Sequence, residues 1–116
     1  MNRSKAKGTR FESDVVAYLR EHGFRYAERR ALAGNADRGD IAGVPGVAIE
    51  CKAVQRIELA TFVDESQREA ANAGAGLGVT VVKRRQKSTG DAYVVMPLSA
   101  FVALIRDDEV DDPLAT

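Results

Sequence analysis

The stretch Arg38–Ala53, RGDIAGVPGVAIECKA, writes three charged side chains into the pattern of two short β-strands. That conflict limits the fold more than any other feature. Pro45-Gly46 marks a turn between the strands. Along the second strand Val47, Ile49 and Cys51 alternate with Ala48, Glu50 and Lys52. Glu50 and Lys52 therefore share a face, roughly 6–7 Å apart at strand rise. An antiparallel pairing with Asp40 opposite Glu50 puts all three charges on one face and Ile41 against Ile49 on the other. A two-residue turn at Pro45-Gly46 would instead set Cys51 on the face of Asp40. The spacing thus predicts an odd-length loop or a β-bulge between Ala42 and Val47, with a glycine at positive φ. Two carboxylates and a lysine gathered on a sheet face cost several kcal/mol if buried without compensation. A hard divalent cation bound by oxygen, Mg²⁺ with Mn²⁺ as a substitute, supplies that compensation.

The remaining elements can be read around this hairpin. Residues 1–8 are small, polar and basic and read as a flexible arm, with Lys5, Lys7 and Arg10 available to phosphates. Thr9-Arg10-Phe11-Glu12 fits a capping box. Phe11, Val15, Tyr18, Leu19 and His22 continue at helical spacing, and Gly23 supplies a stop. Phe24–Arg30 alternates as a strand and ends in Arg29-Arg30 before a loop at Ala33-Gly34-Asn35-Ala36. Leu59–Ala73 reads as a helix with Leu59, Phe62, Val63, Ser66, Ala70 and Ala73 on its apolar side, and Gln67 beside them. Val79–Val82 reads as a central strand and Tyr93–Met96 as its return. Between them Lys83, Arg84, Arg85 and Lys87 form the densest positive patch, either a DNA-backbone contact or a turn made soluble by charge. A last helix opens at Pro97-Leu98-Ser99 with an apolar arc of Leu98, Phe101, Val102, Leu104 and Ile105, wide enough to face a second subunit. The tail from residue 107 to 116 is acidic and reads as disordered.

The order Glu12, Asp40, Glu50, Lys52 resembles the PD-(D/E)XK nuclease superfamily, and more closely the archaeal-type Holliday junction resolvases, over about Lys7 to Val95. Gly39 stands where the superfamily name has Pro, and Ser13 where many resolvases have Arg. The resemblance implies an α/β, restriction-endonuclease-like core of αβββαβ type, with a mixed central sheet flanked by helices. It implies Mg²⁺ held by Asp40, Glu50 and the main-chain carbonyl of Cys51, with Glu12 assisting and Lys52 acting on the attacking water and the phosphate. Glu12 so has two readings, helix cap and site residue. The resemblance also implies a DNA-contacting arginine at Arg29 or Arg30, and a supporting role for Gln67. The expected partners are a four-way DNA junction and a second copy of the chain, cut and matched by the same two-fold symmetry.

Composition narrows the field further. One cysteine excludes a disulfide framework and suits a reducing cytoplasm, and no run approaches membrane-spanning length. The single histidine excludes a histidine metal cluster, and there is no P-loop, GxSxG or zinc spacing. No small-molecule substrate is indicated. Net charge is zero, but five of the 17 acidic residues (Asp107, Asp108, Glu109, Asp111, Asp112) lie in the tail, leaving 12 against 17 basic ones elsewhere. Such a domain approaches phosphates favourably. The expectation is one domain over residues 1–106, acting as a structure-selective DNA endonuclease. Its rivals are a nicking, repair or restriction-type nuclease of the same superfamily, and an inert DNA-binding module whose charges form an ion network.

Overall fold

The computed structural model describes residues 3–31 and 36–110, with side chains given for 6–31 and 36–106. In chain order the elements are α1 (Arg3–Glu21), β1 (Glu28–Arg29), β2 (Ile41–Ala42), β3 (Val47–Lys52), α2 (Leu59–Ala73), β4 (Leu77–Val82), β5 (Tyr93–Val95) and α3 (Leu98–Val110). The five strands form one α/β sheet in sequence order, with β3 and β4 parallel and the other neighbours antiparallel. Parallel strands need a crossover, and α2 provides it.

The two faces of β3 have opposite chemistry, and each helix answers one of them. Ile49 and Cys51 join Ile41 and Val79 against Phe11, Val15 and Val16 of α1, forming the main core. The other face meets α2, whose Phe62, Ser66, Glu69 and Ala70 are buried. Gly78 lets α2 approach closely, since a Cβ there would run into the Ser66 carbonyl oxygen. Thr80, fully buried, donates its hydroxyl to the Phe62 carbonyl at 3.0 Å and ties strand to helix.

The expected register is present, with Ile41 paired to Ile49. It centres the β2–β3 connection on Pro45, which makes the loop odd in length. Gly43 and Gly46 take φ of +88° and +77°, and the Val47 N–H donates to Val44 O at 3.2 Å. Gly43 is required twice over, because a side chain there would also collide with the Tyr26 carbonyl.

Several boundaries differ from the sequence reading; β4 starts at Leu77 rather than Val79 and β5 ends at Val95 rather than Met96. Residues 3–8 form the start of α1 rather than an arm, so Thr9 lies inside the helix and the capping box does not form. Lys5, Ala6, Lys7 and Arg10 favour helix, and Gly8 alone opposes by about 1 kcal/mol. The strand expected over Phe24–Arg30 shrinks to Glu28–Arg29. The chain must reverse after α1, and a turn does so, with Ala27 N–H donating to Phe24 O at 3.0 Å and Arg20 Nε to Ala27 O at 2.7 Å. The last helix continues through Val110, past the expected end at Arg106, because no residue before Pro113 breaks it. Residues 1–2, the Ala33-Gly34-Asn35 loop and 111–116 lie outside the described residues. Among the described residues no helix is long and apolar enough to cross a membrane.

Candidate metal centre

Asp40 stands just before β2, its backbone bonded to Ile49 O on one side and to the Arg30 N–H on the other, both at 2.8 Å. Its Oδ2 accepts the Cys51 N–H at 2.8 Å, which fixes its carboxylate beside β3. The next carbonyl along β3, that of Lys52, accepts the Lys83 N–H at 2.9 Å on the β4 side. Backbone groups alternate in direction along a strand, so the Cys51 carbonyl points the other way, to the edge where Asp40 lies. Asp40 lies in side-chain contact with Glu50, with the Cys51 carbonyl on the same side of β3 as Asp40. The Cys51 side chain turns into the core, where burial pushes its thiol well above the ordinary range. It is a small hydrophobe, not a nucleophile.

Two further carboxylates, which sequence reasoning did not single out, complete the cluster. Glu69 descends from α2, and Asp37 comes from the loop before β2. Each offers an oxygen within 4.8 Å of the other and of Glu50. Glu50 is 7% exposed and Glu69 4%, and the Oε2 atom of each is buried without a hydrogen-bond partner. The loop is held in place by Asn72 Nδ2, which donates to the Asp37 carbonyl at 2.7 Å, and by the Gly39 N–H, which donates to Asp37 Oδ1 at 2.9 Å. A signal for Glu69 was present in the sequence. It lies seven residues after Phe62, on the stripe that faces the sheet, where an acid is out of place. Asp37 carries no such signal.

The electrostatics follow from the crowding. Burial, then the neighbouring Glu50, lifts Asp40 to about 7, against the opposing Cys51 N–H. Burial, then Glu69, lifts Glu50 to about 8. Burial lifts Glu69 to about 7, with Asp37 adding to it. Proteins keep carboxylates this close either by sharing protons or by binding a cation.

Lys52 lies on the face of Glu50, but its Nζ is paired with Glu65 Oε2 of α2 at 2.9 Å and sits 5.2 Å from the centre of the Phe62 ring. Burial alone would lower its pKa; Glu65, Glu50 and Asp40 outweigh that and hold it above the ordinary value. Glu12 rises from α1 on the other side of the sheet and takes Arg29 Nε at 3.1 Å. It is close enough to Asp40 that burial and that charge raise its pKa against the pull of Arg29. Arg30 donates its backbone N–H to Asp40 O at 2.8 Å, while its Nε is buried with no partner. Gln67 is spent on structure: its amide donates to Gly78 O at 3.0 Å and Ser66 Oγ at 3.1 Å. Arg10 lies exposed on α1. Lys83, Arg84, Arg85 and Lys87 follow β4 at the carboxyl end of the parallel pair, the end at which Lys52 lies. Arg84 packs over the Tyr93 ring at 4.8 Å.

Fold and site together define an α/β protein with a largely buried acidic cluster against the central strand of a mixed sheet. Neither protein-family models, nor curated proteins, nor solved structures give a match to this chain.

Proposed function

We propose that this chain is a metal-dependent DNA endonuclease with a restriction-endonuclease-like core, and that its substrate is the four-way DNA junction. The observation that carries the reading is the Glu50 carboxylate, buried with an unpartnered oxygen beside Asp40 and on the face of Lys52. An inert ion network would pair that oxygen. The donor set is all hard oxygen, which fits Mg²⁺ or Mn²⁺.

Asp40, Glu50 and the Cys51 carbonyl would hold the ion, with Glu12 adjoining through Asp40. Bound there, Mg²⁺ supplies Lewis acidity toward a phosphate oxygen and lowers the pKa of a water. The chain's own residues do the rest. Lys52, kept protonated by its acidic neighbours, places a positive charge where the phosphorane gains negative charge, and Glu65 orients it. Of the two candidate arginines, Arg29 is engaged by Glu12, which leaves the half-buried Arg30 side chain for a phosphate. The Lys83–Lys87 loop lies beyond the carboxyl ends of β3 and β4, where ligands of open α/β sheets bind, and would grip the DNA backbone. Leu98, Phe101, Val102, Leu104 and Ile105 are exposed on α3 and offer an apolar surface to a second copy, as a two-fold junction requires.

The test is incubation with labelled four-way junction, duplex, flap and single-stranded DNA, with and without Mg²⁺. Paired, Mg²⁺-dependent cuts across the junction are expected. Equal nicking of duplex and junction would leave a nuclease without junction selectivity, and no cleavage of any substrate would remove the enzyme reading.

A further inference from the structure

The metal centre proposed above uses Asp40, Glu50 and the Cys51 carbonyl, and so leaves Glu69 and Asp37 without a role. Asp37 Oδ1 accepts the Gly39 N–H at 2.9 Å, but Glu69 fits no structural account. Glu69 is 4% exposed on a helix face that otherwise packs Phe62, Ser66 and Ala70 against the sheet, and its Oε2 has no hydrogen-bond donor. No cationic side chain pairs with it among the described residues; the nearest lysine on that face, Lys52, is taken by Glu65. A leucine or glutamine would fill the position at lower cost.

The oxygens of Asp37, Glu50 and Glu69 lie within 4.8 Å of one another and come from three separate elements: the loop before β2, strand β3 and helix α2. A cation ligated at 2.3–2.6 Å spans about 4.6–5.2 Å between opposite ligands, and Mg²⁺ about 4.2 Å. Separations of no more than 4.8 Å are compatible with all three oxygens binding one such ion. Two of the three donors are more than nine-tenths buried and each has an orphan oxygen.

We infer that Asp37, Glu50 and Glu69 form a second divalent-cation site, which shares Glu50 with the first and fastens the Asp37 loop to α2. Asn72, one helical turn beyond Glu69, already holds the same loop through the Asp37 carbonyl. The ion completes that clasp and orders the residues that lead into Asp40. The inference rests on the metal-centre reading only through Glu50, and the two can fail separately.

Mn²⁺ binding to the full chain, followed by the loss of the free-ion electron paramagnetic resonance signal, is the experiment. The wild-type chain should bind two ions. Glu69→Gln and Asp37→Asn should each remove one or weaken it by about tenfold or more, and both should leave the ion that depends on Asp40. Asp40→Asn should spare the Glu69-dependent ion. Circular dichroism confirms that each variant is folded; if Glu69→Gln is not, Asp37→Asn, on an exposed loop, decides. A single ion lost in Glu69→Gln or Asp37→Asn but kept in Asp40→Asn would uphold this site and overturn the Asp40 centre. Wild-type stoichiometry and affinity in Asp37→Asn and in folded Glu69→Gln would overturn the site. Hydrogen exchange gives a readout apart from binding: Mn²⁺ should slow exchange at residues 36–40 in the wild type and not in Asp37→Asn.

Discussion

Replacing Glu69 by glutamine in metal-free protein should stabilise the fold, by an amount that grows as pH rises from about 4.5 to 8. The substitution keeps shape and removes one charge from a cluster whose oxygens lie within 4.8 Å. At that separation and an effective dielectric constant of about 20, two unit charges repel by about 3.5 kcal/mol. Glu69 faces two such neighbours, but Asp37 is exposed and screened, so the net relief is about 2–4 kcal/mol once the cluster is ionised. The amide also offers a donor to the orphan Glu50 Oε2. The sign follows from the raised values of Glu69 (about 7) and Glu50 (about 8). Folded-state values above the unfolded ones mean that the folded chain holds extra protons, a stabilisation present at low pH and lost as pH rises through about 7 to 8. Urea unfolding in a chelator should show the wild type losing stability between about pH 4.5 and 8 and levelling off above that. Glu69→Gln should lose less. With a urea slope of roughly 1–3 kcal/mol/M, its midpoint at pH 9 should exceed wild type by on the order of 1–2 M, and at pH 4.5 by little. A midpoint at pH 9 equal to or below wild type, or the same gain at both pH values, would refute the crowded-carboxylate account.

Lys52→Ala should reduce junction cleavage by on the order of 10²–10³-fold while binding is retained; near-wild-type cutting would remove Lys52 from the site. Gly78→Ala, which drives a methyl group into the Ser66 carbonyl and the Ala70 side chain, should cost about 1–3 kcal/mol in urea unfolding, and an unchanged midpoint would mean that α2 does not sit so close to β4. Junction affinity should fall steeply with salt, and replacing Lys83, Arg85 and Lys87 by alanine should flatten that dependence; an unaltered slope would free the loop of any DNA contact. Light scattering at micromolar concentration should report a dimer, lost on changing Phe101 and Ile105 to serine, whereas a monomer before the change would leave the α3 surface without that partner.

The alternation of residues 47–52 and the unequal spacing of Asp40 and Glu50 across Pro45 determined by themselves that a hairpin with an irregular loop would gather the charges, because side-chain direction in a strand is a local property. Local periodicity likewise marked α2, β4 and the start of α3. The capping box was misleading for a local reason: the helix formers on either side of Thr9, Lys5, Ala6, Lys7 and Arg10, outweighed one cap. Lengths of β1 and α3 were not legible, since pairing partners and the next breaker decide where an element stops. Tertiary structure alone decided what the charges meet. Glu69 is some twenty residues from Glu50 in sequence, and only the parallel return of β4 under α2 brings them together. The same crossover gives Lys52 to Glu65, turns Gln67 toward the Gly78 carbonyl instead of the carboxylates, and sets the Asp37 loop beside Asn72. Burial of a charge is a property of the assembled layers, so the unpartnered oxygens that define this site exist only once helix and sheet have closed on them.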